Sequence, residues 1–199
     1  AYNNPVYSIN VENVWEKVYN DNISKTETIV AVLDTGVDIY HEDLKDNIFK
    51  NQEEIYGNTE KDDDNNGFVD DIAGWDFLNN DNTVYDNTTD STGEKTDSHG
   101  THVAGIIAAA KTGLGNLTSF SNYGHDYIAA PGKAIYSLAP ENNYMYMDGT
   151  SMSTPFVAGA AALLKIINPS LDSKQLKDAL NNGSKTSETG LFHGKLDIL

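Results

Sequence analysis

Along this chain the apolar positions fall into a few short, well-separated patterns. Residues 1 to 28 are largely polar, with Val11, Val14, Trp15 and Val18 making a short helical stripe that predicts one packing helix. Ile29-Val30-Ala31-Val32-Leu33 is continuously apolar, has strand length and ends at Asp34-Thr35-Gly36. Such a run suits a central strand of a parallel sheet, buried on both faces. A second run of small and β-branched residues, Val103 to Ala110, follows His99 and predicts a tightly packed helix with the imidazole in its first turn. The third pattern is Tyr146 to Pro155 followed by Phe156 to Ile167, where Val157, Ala160, Ala161, Leu164 and Ile167 recur at helical spacing. Pro155 is tolerated near that helix start, where its missing N–H would be unpaired anyway. Ser151 is thereby expected just ahead of a helix N-terminus.

Composition narrows the classes. A chain of 199 residues with 39% hydrophobic positions can bury a core of its own, as one domain or slightly more. The greasiest segment, Phe156 to Ile167, reads as too short to span a bilayer, so no membrane span is expected. The 30 acidic against 13 basic side chains give a formal charge of −17, which repels nucleic acid and anionic lipid and attracts cations. No nucleic-acid partner is expected, and calcium is the more natural one. The absence of cysteine excludes disulfides, thiolate catalysis and Cys-type zinc sites. Ala1-Tyr2-Asn3-Asn4 has neither the basic start nor the apolar core of a signal peptide.

Three positions invite chemistry, and each has a plainer reading. The first turn of a helix favours negative charge on a nearby oxygen, which suits an attacking Ser151 and its oxyanion; the plainer role is an N-cap. Asp34, at the C-terminal end of a central strand, lies where open α/β sheets place their sites, or else is a turn residue. Asp-Thr-Gly also marks aspartic proteases, but one copy would require a homodimer. His99 and His102, three apart, could suggest zinc on one helix face. They lack the glutamate and the four-residue offset of His-Glu-x-x-His.

Residues 50 to 98 are acidic and rich in asparagine, and would be disordered without a partner. Within them, Asp62, Asp64 and Asn66 alternate, Gly67 allows a sharp turn, and Phe68 offers a backbone carbonyl, matching the first half of a calcium loop. Ala73 stands where an EF-hand has its bidentate glutamate, so Asp70 or Asp71 must close the site. The alternative is a solvated acid run.

Taken together, Val30 to Asp38, His99 to Gly105 and Gly149 to Pro155 closely resemble the three active-site signatures of the subtilisin-like serine proteases, in the order Asp, His, Ser. Supporting resemblances are His41-Glu42-Asp43-Leu44, Ser119 to Gly124, Ile128 to Gly132, a late helix from Asp172 to Leu180 capped by Asp172 or Ser173, and a closing strand at His193 to Asp197. The resemblance implies an α/β fold of three layers around a mostly parallel central sheet, with residues 1–199 forming one peptidase domain: 1–110 with the Asp and His blocks and the calcium loop, 111–199 with the Ser block. It implies a serine endopeptidase in which Ser151 attacks, His99 transfers the proton and Asp34 holds the imidazole, while His102 is a packed structural residue. It further implies a polypeptide substrate, a pro-segment inhibitor, calcium as cofactor, a monomer, and secretion or surface display.

One departure is sharp. Family members carry a long stretch between the His block and the Ser-Phe-Ser-Asn-Tyr-Gly segment, yet here Ser119 lies only fourteen positions after Gly105. Walls of the substrate pocket and the side-chain oxyanion asparagine belong to that stretch; Gly115-Asn116 is the one local substitute. The fold is therefore expected to be incomplete in this chain. The choices are a longer parent whose middle is absent from this sequence, a non-catalytic calcium-binding or interaction domain, or a compact working protease. An α/β-hydrolase esterase fits less well, because Ser153 occupies the last glycine of Gly-x-Ser-x-Gly.

Overall fold

A computed structural model describes residues 27–108, 124–186 and 192–196. The helix expected within 1–28, the Gly115-Asn116 pair and Ser119 to Tyr123 lie outside the described residues. The chain divides into two compact units: one is Val32–Ala110 with Leu138–Met145, the other Ala1–Ala31, Lys111–Ser137 and Tyr146–Leu199.

The unit containing Asp34 is built on two helices and long hydrogen-bonded loops. Helix α1, Gln52–Tyr56, is capped by Asn51, whose side chain accepts from the Glu53 N–H. Helix α2, Ser98–Ala108, is the helix expected after His99. Leu44, Ala104 and Leu138 form its buried core, with Val32, Val37, Ile48 and Ala108 packed around them. His102, fully buried, hydrogen-bonds through Nε2 to the Met145 carbonyl, a packed role as expected.

The other unit holds a three-stranded sheet in the order β1 (Gly124–Ala129), β5 (Phe192–Lys195), β4 (Lys185–Thr186). β1 and β5 are parallel, in register at Ile128 with Gly194 and Ala129 with Lys195; β4 runs antiparallel to β5. The closing strand is thus present. Strands β2 (Ile135–Ala139) and β3 (Asn143–Met147) form a separate hairpin, of which Leu138–Met145 belong to the unit containing Asp34. Its turn places Glu141 and Asn142 at φ 64° and 58°, where asparagine is well tolerated. Helix α3 covers Thr150–Ile167, and α4, Ser173–Gly183, packs against it. α4 opens with a capping box: Asp172 accepts from the Gln175 N–H, and the Gln175 side chain accepts from the Asp172 N–H.

Two expectations are corrected. Residues 150–155 extend the last apolar segment into an 18-residue helix, long and apolar enough to cross a membrane by length and composition. Its buried Met152, Phe156 and Leu163, and its packing on α4, are those of a domain helix. The second correction concerns Ile29–Leu33, which forms no strand. The run alternates, with Thr28, Val30 and Val32 half-buried and Ile29 and Leu33 left 62% and 87% exposed. A buried strand needs neighbours to take up its N–H and C=O groups, and here no described segment pairs with it.

Candidate active site

Asp34 and His99 come together through sequence-local geometry on each side. Past Asp34 the chain turns at Gly36, whose φ of 119° is open to glycine and strained for any other residue. The turn lets Thr35 Oγ1 accept the Gly100 N–H at 3.1 Å, which pins the start of α2 to the Asp34 block. Gly100 is required as well: a Cβ there would lie 2.1 Å from the Gly36 carbonyl oxygen. Held this way, His99 Nδ1 sits 2.6 Å from Asp34 Oδ1, an oxygen that also accepts the Thr35 N–H at 2.8 Å. The Asp34 side chain is 15% exposed although its backbone is open, and that of His99 is 40% exposed. An Nδ1–H pointing at the carboxylate leaves Nε2 as the basic nitrogen.

Behind this pair lies Asp97, a residue that pattern reading passed over. It is buried, its Oδ2 accepts the Asn87 N–H at 2.9 Å, and its Oδ1 faces the bare Cα of Gly36. Burial pushes its pKa above the usual carboxylate value, with the Asp86 and Asp38 charges adding to the effect. Burial, with the Asp38, Glu141 and Asp97 charges adding to it, pushes Tyr85 up to about 12.

Ser151 belongs to the other unit, as the second residue of α3 rather than just ahead of it, and is exposed. Its N–H is among the first-turn groups that have no partner inside a helix. The Gly149 N–H donates to the Gly132 carbonyl at 2.8 Å, and the Ala134 N–H to Asp148 Oδ1 at 2.6 Å, so the segment at 132–134 braces the nucleophile block. A Cβ on Gly132 would lie 2.3 Å from Ser153 Oγ and 2.8 Å from the Gly149 carbonyl oxygen, so the close approach there needs glycine. The structure therefore joins Asp34 to His99 directly and presents Ser151 at the start of a helix in a separately organised unit.

The acidic loop is organised by a residue outside the expected set. Glu54, buried on α1, accepts the Asp63 and Asp64 N–H groups through Oε1 and the Asp70 N–H through Oε2. One carboxylate oxygen each of Glu54, Asp62 and Asp64 lies within 4.8 Å of the others, an oxygen-only group that could hold a hard cation. Asp62 also accepts the Asn66 and Gly67 N–H groups, and Gly67 turns at φ 99° as expected. Asp71 meets Asp64 through shared amides, since Asn51 Nδ2 and Asn66 Nδ2 each donate to both carboxylates. Asp70 faces elsewhere, accepting the Glu60 N–H through Oδ2. Asn66 Oδ1 accepts the Phe68 N–H. Hydrogen bonds, first that from Asn51, hold the Asp64 carboxyl below the usual carboxylate range. Glu54 was invisible to a reading confined to the linear loop; the signal was its place three residues after the capping Asn51.

Comparison with known proteins gives the family. Subtilisin-like protease 1 of Plasmodium vivax is 25% identical over 301 residues, covering 86% of this chain and 46% of the relative. That of Plasmodium berghei (strain Anka) is 23% identical over 318 residues, covering 95% of this chain and 51% of the relative. The chain thus spans about half the length of these curated relatives. In fold it is similar to the crystal structure of a cold adapted subtilisin-like serine proteinase, with a TM-score of 0.57 and 20% identity over 90% of this chain and 97% of that one. The Peptidase_S8 family, described as the subtilase family, matches residues 25–115 and again residues 113–195. Because those two matches together cover most of its length, the chain belongs to the subtilase family of α/β serine peptidases.

Proposed function

We propose that this chain is the core of a subtilisin-like serine endopeptidase whose triad is Asp34, His99 and Ser151. The observation that carries the reading is the 2.6 Å contact between His99 Nδ1 and Asp34 Oδ1, made by two of the three signature blocks. In this reading Ser151 Oγ attacks the scissile carbonyl carbon while His99 Nε2 takes its proton. Asp34 keeps the Nδ1–H tautomer and stabilises the imidazolium. The tetrahedral oxyanion accepts the Ser151 N–H at the positive end of α3. His99 then gives the proton to the leaving amine, and water, activated by the same imidazole, releases the acyl group from Ser151.

Calcium is the cation proposed for the acidic loop, held by Glu54, Asp62 and Asp64, with Asp71 drawn to the group through the Asn51 and Asn66 amides. The bound ion would supply positive charge to a self-repelling segment. The substrate class is polypeptide, the setting is outside the cell or at its surface, and a pro-segment inhibitor accompanies the domain, as in the family at large.

A second reading, a non-catalytic binding domain, is favoured by one observation: the family match breaks into two pieces at 113–115. Hydrolysis of a denatured polypeptide in calcium buffer separates the two. The peptidase reading requires cleavage that disappears in Ser151→Ala; peptide binding unaffected by that change, with no cleavage by the unaltered chain, would establish the other.

A further inference from the structure

Asp97 stands at the N-cap position of α2, where its carbonyl accepts the Thr101 N–H at 3.1 Å in the first bond of the helix. An aspartate there ordinarily turns its carboxylate onto the N–H groups of the first turn. Here Thr35 Oγ1 takes the Gly100 N–H, and the Asp97 carboxylate serves two other segments. Its Oδ2 accepts the Asn87 N–H at 2.9 Å, and its Oδ1 lies against the Cα of Gly36, 2.3 Å from where a Cβ would stand. The residue is 2% exposed, and among the described residues no cation lies within ion-pair reach of it. A buried carboxylate without a cation is costly to keep, so packing alone is a poor account of it.

The Gly36 turn is held from one side by α2. Thr35 Oγ1 receives the Gly100 N–H and Thr101 Oγ1 receives the Asp38 N–H at 2.9 Å, so successive helix residues grip the chain on both flanks of the turn. From the other side the turn meets the loop at 84–87, where the Val84 carbonyl accepts the Val37 N–H at 2.9 Å and lies 3.1 Å from the Cβ position of Gly36. Asp97 connects the two sides. Its backbone opens α2 two residues before His99, while its carboxylate reaches Asn87 and fills the space over Gly36. Asn87 is itself anchored, since Lys95 Nζ donates to its Oδ1 at 2.5 Å and pairs with Glu141 Oε1 at 3.0 Å.

We infer that Asp97 is a positioning residue for the Asp34–His99 pair: wedged between Gly36 and Asn87, it fixes the turn that follows Asp34 against the helix turn that carries His99. Without the wedge, Gly36 at φ 119° has other conformations open to it, and its relaxation draws Asp34 Oδ1 away from His99 Nδ1. The consequence for Ser151 rests on the peptidase reading, whereas the consequence for the imidazole N–H does not.

The test compares the 199-residue chain with Asp97→Ala, Asp97→Ser and Asp97→Asn by proton NMR and by labelling with a fluorophosphonate. A short N–H···O⁻ hydrogen bond deshields its proton and slows exchange with water, so the His99 Nδ1–H gives a far-downfield resonance, assigned by its loss in His99→Gln. In Asp97→Ala, or in Asp97→Ser should the alanine variant not fold, that resonance is expected to move upfield or broaden away. Phosphonylation of Ser151 is expected to slow with it by about ten- to a hundred-fold. Asp97→Asn keeps both the acceptor and the wedge and is expected to restore resonance and rate. A folded Asp97→Ala or Asp97→Ser whose resonance is unchanged in position and exchange overturns the inference, as does an Asp97→Asn that loses it equally. No such resonance in the unaltered chain removes the contact being positioned, and the inference with it. A resonance that shifts as expected in a chain whose Ser151 takes no label leaves the positioning role standing and defeats the peptidase reading.

Discussion

His99 Nδ1 and Asp34 Oδ1 stand 2.6 Å apart across 65 residues of sequence, in a contact fixed by two glycines and one threonine hydroxyl. The Gly36 turn and the bare Gly100 let the two backbones approach, and Thr35 Oγ1 ties the start of α2 to the Asp34 block. An imidazole held at this angle has one nitrogen committed and one available.

Asp34→Asn tests that commitment. The amide fills the same space but can donate to Nδ1, favouring the wrong tautomer. Ser151 reactivity toward an acylating or phosphonylating reagent should fall by about 10⁴-fold with the fold retained. Stopped-flow or mass-spectrometric labelling rates check this, and a loss below ten-fold would leave the contact without a chemical role.

Gly100→Ala tests the approach itself. The added methyl group meets the Gly36 carbonyl oxygen and crowds Asp34 Cβ, which is 3.2 Å from the Cβ position. The backbones must separate, at a stability cost of about 1–3 kcal/mol read by urea unfolding. The His99–Asp34 contact should lengthen with it.

Asp97 gives a pH signature of defined sign. Its folded pKa lies above the unfolded carboxylate value near 3.9, so the folded state holds the proton more tightly. That contribution is fully present below the unfolded value and declines as pH rises through the folded one. Asp63 and Asp64 act oppositely, because hydrogen bonds lower their values and their contribution is lost as pH falls. Asp97→Asn keeps an acceptor for the Asn87 N–H and removes the buried charge. Relative to the unaltered chain, its stability should improve as pH is raised from 4 to 8, and parallel unfolding curves would contradict the assignment.

Glu54→Gln addresses the loop. The amide keeps one acceptor oxygen for the Asp63 and Asp64 N–H groups but removes a charge from the cation group. Calcium affinity measured by calorimetry should fall by on the order of ten-fold or more. Glu54→Ala leaves three N–H groups without their acceptor and should cost about 1–3 kcal/mol as well. No calcium binding by the unaltered chain at millimolar concentration would remove the site.

Much of this was legible in the sequence, and the remainder depended on contacts that no local pattern encodes. Helical spacing after His99 and Ser151 gave α2 and α3, and Asp172 marked the start of α4 through a capping box that operates within one turn. Ile29–Leu33 read as a strand because its residues suit one, but pairing is a property of neighbours, and no described segment supplies them. Asp70 and Asp71 were equivalent in sequence; the Asn51 and Asn66 amides on Asp71 and the Glu60 N–H on Asp70 distinguish them. Glu54 and Asp97 escaped because a buried acid is recognised by its N–H donors, and those come from loops up to sixteen residues away.

The most direct measurement maps a fluorophosphonate adduct by mass spectrometry in calcium buffer. A single adduct on Ser151 is expected, absent from Ser151→Ala and formed orders of magnitude more slowly in His99→Ala. An adduct on another serine, or one forming on Ser151 at an unchanged rate without the imidazole, would contradict it.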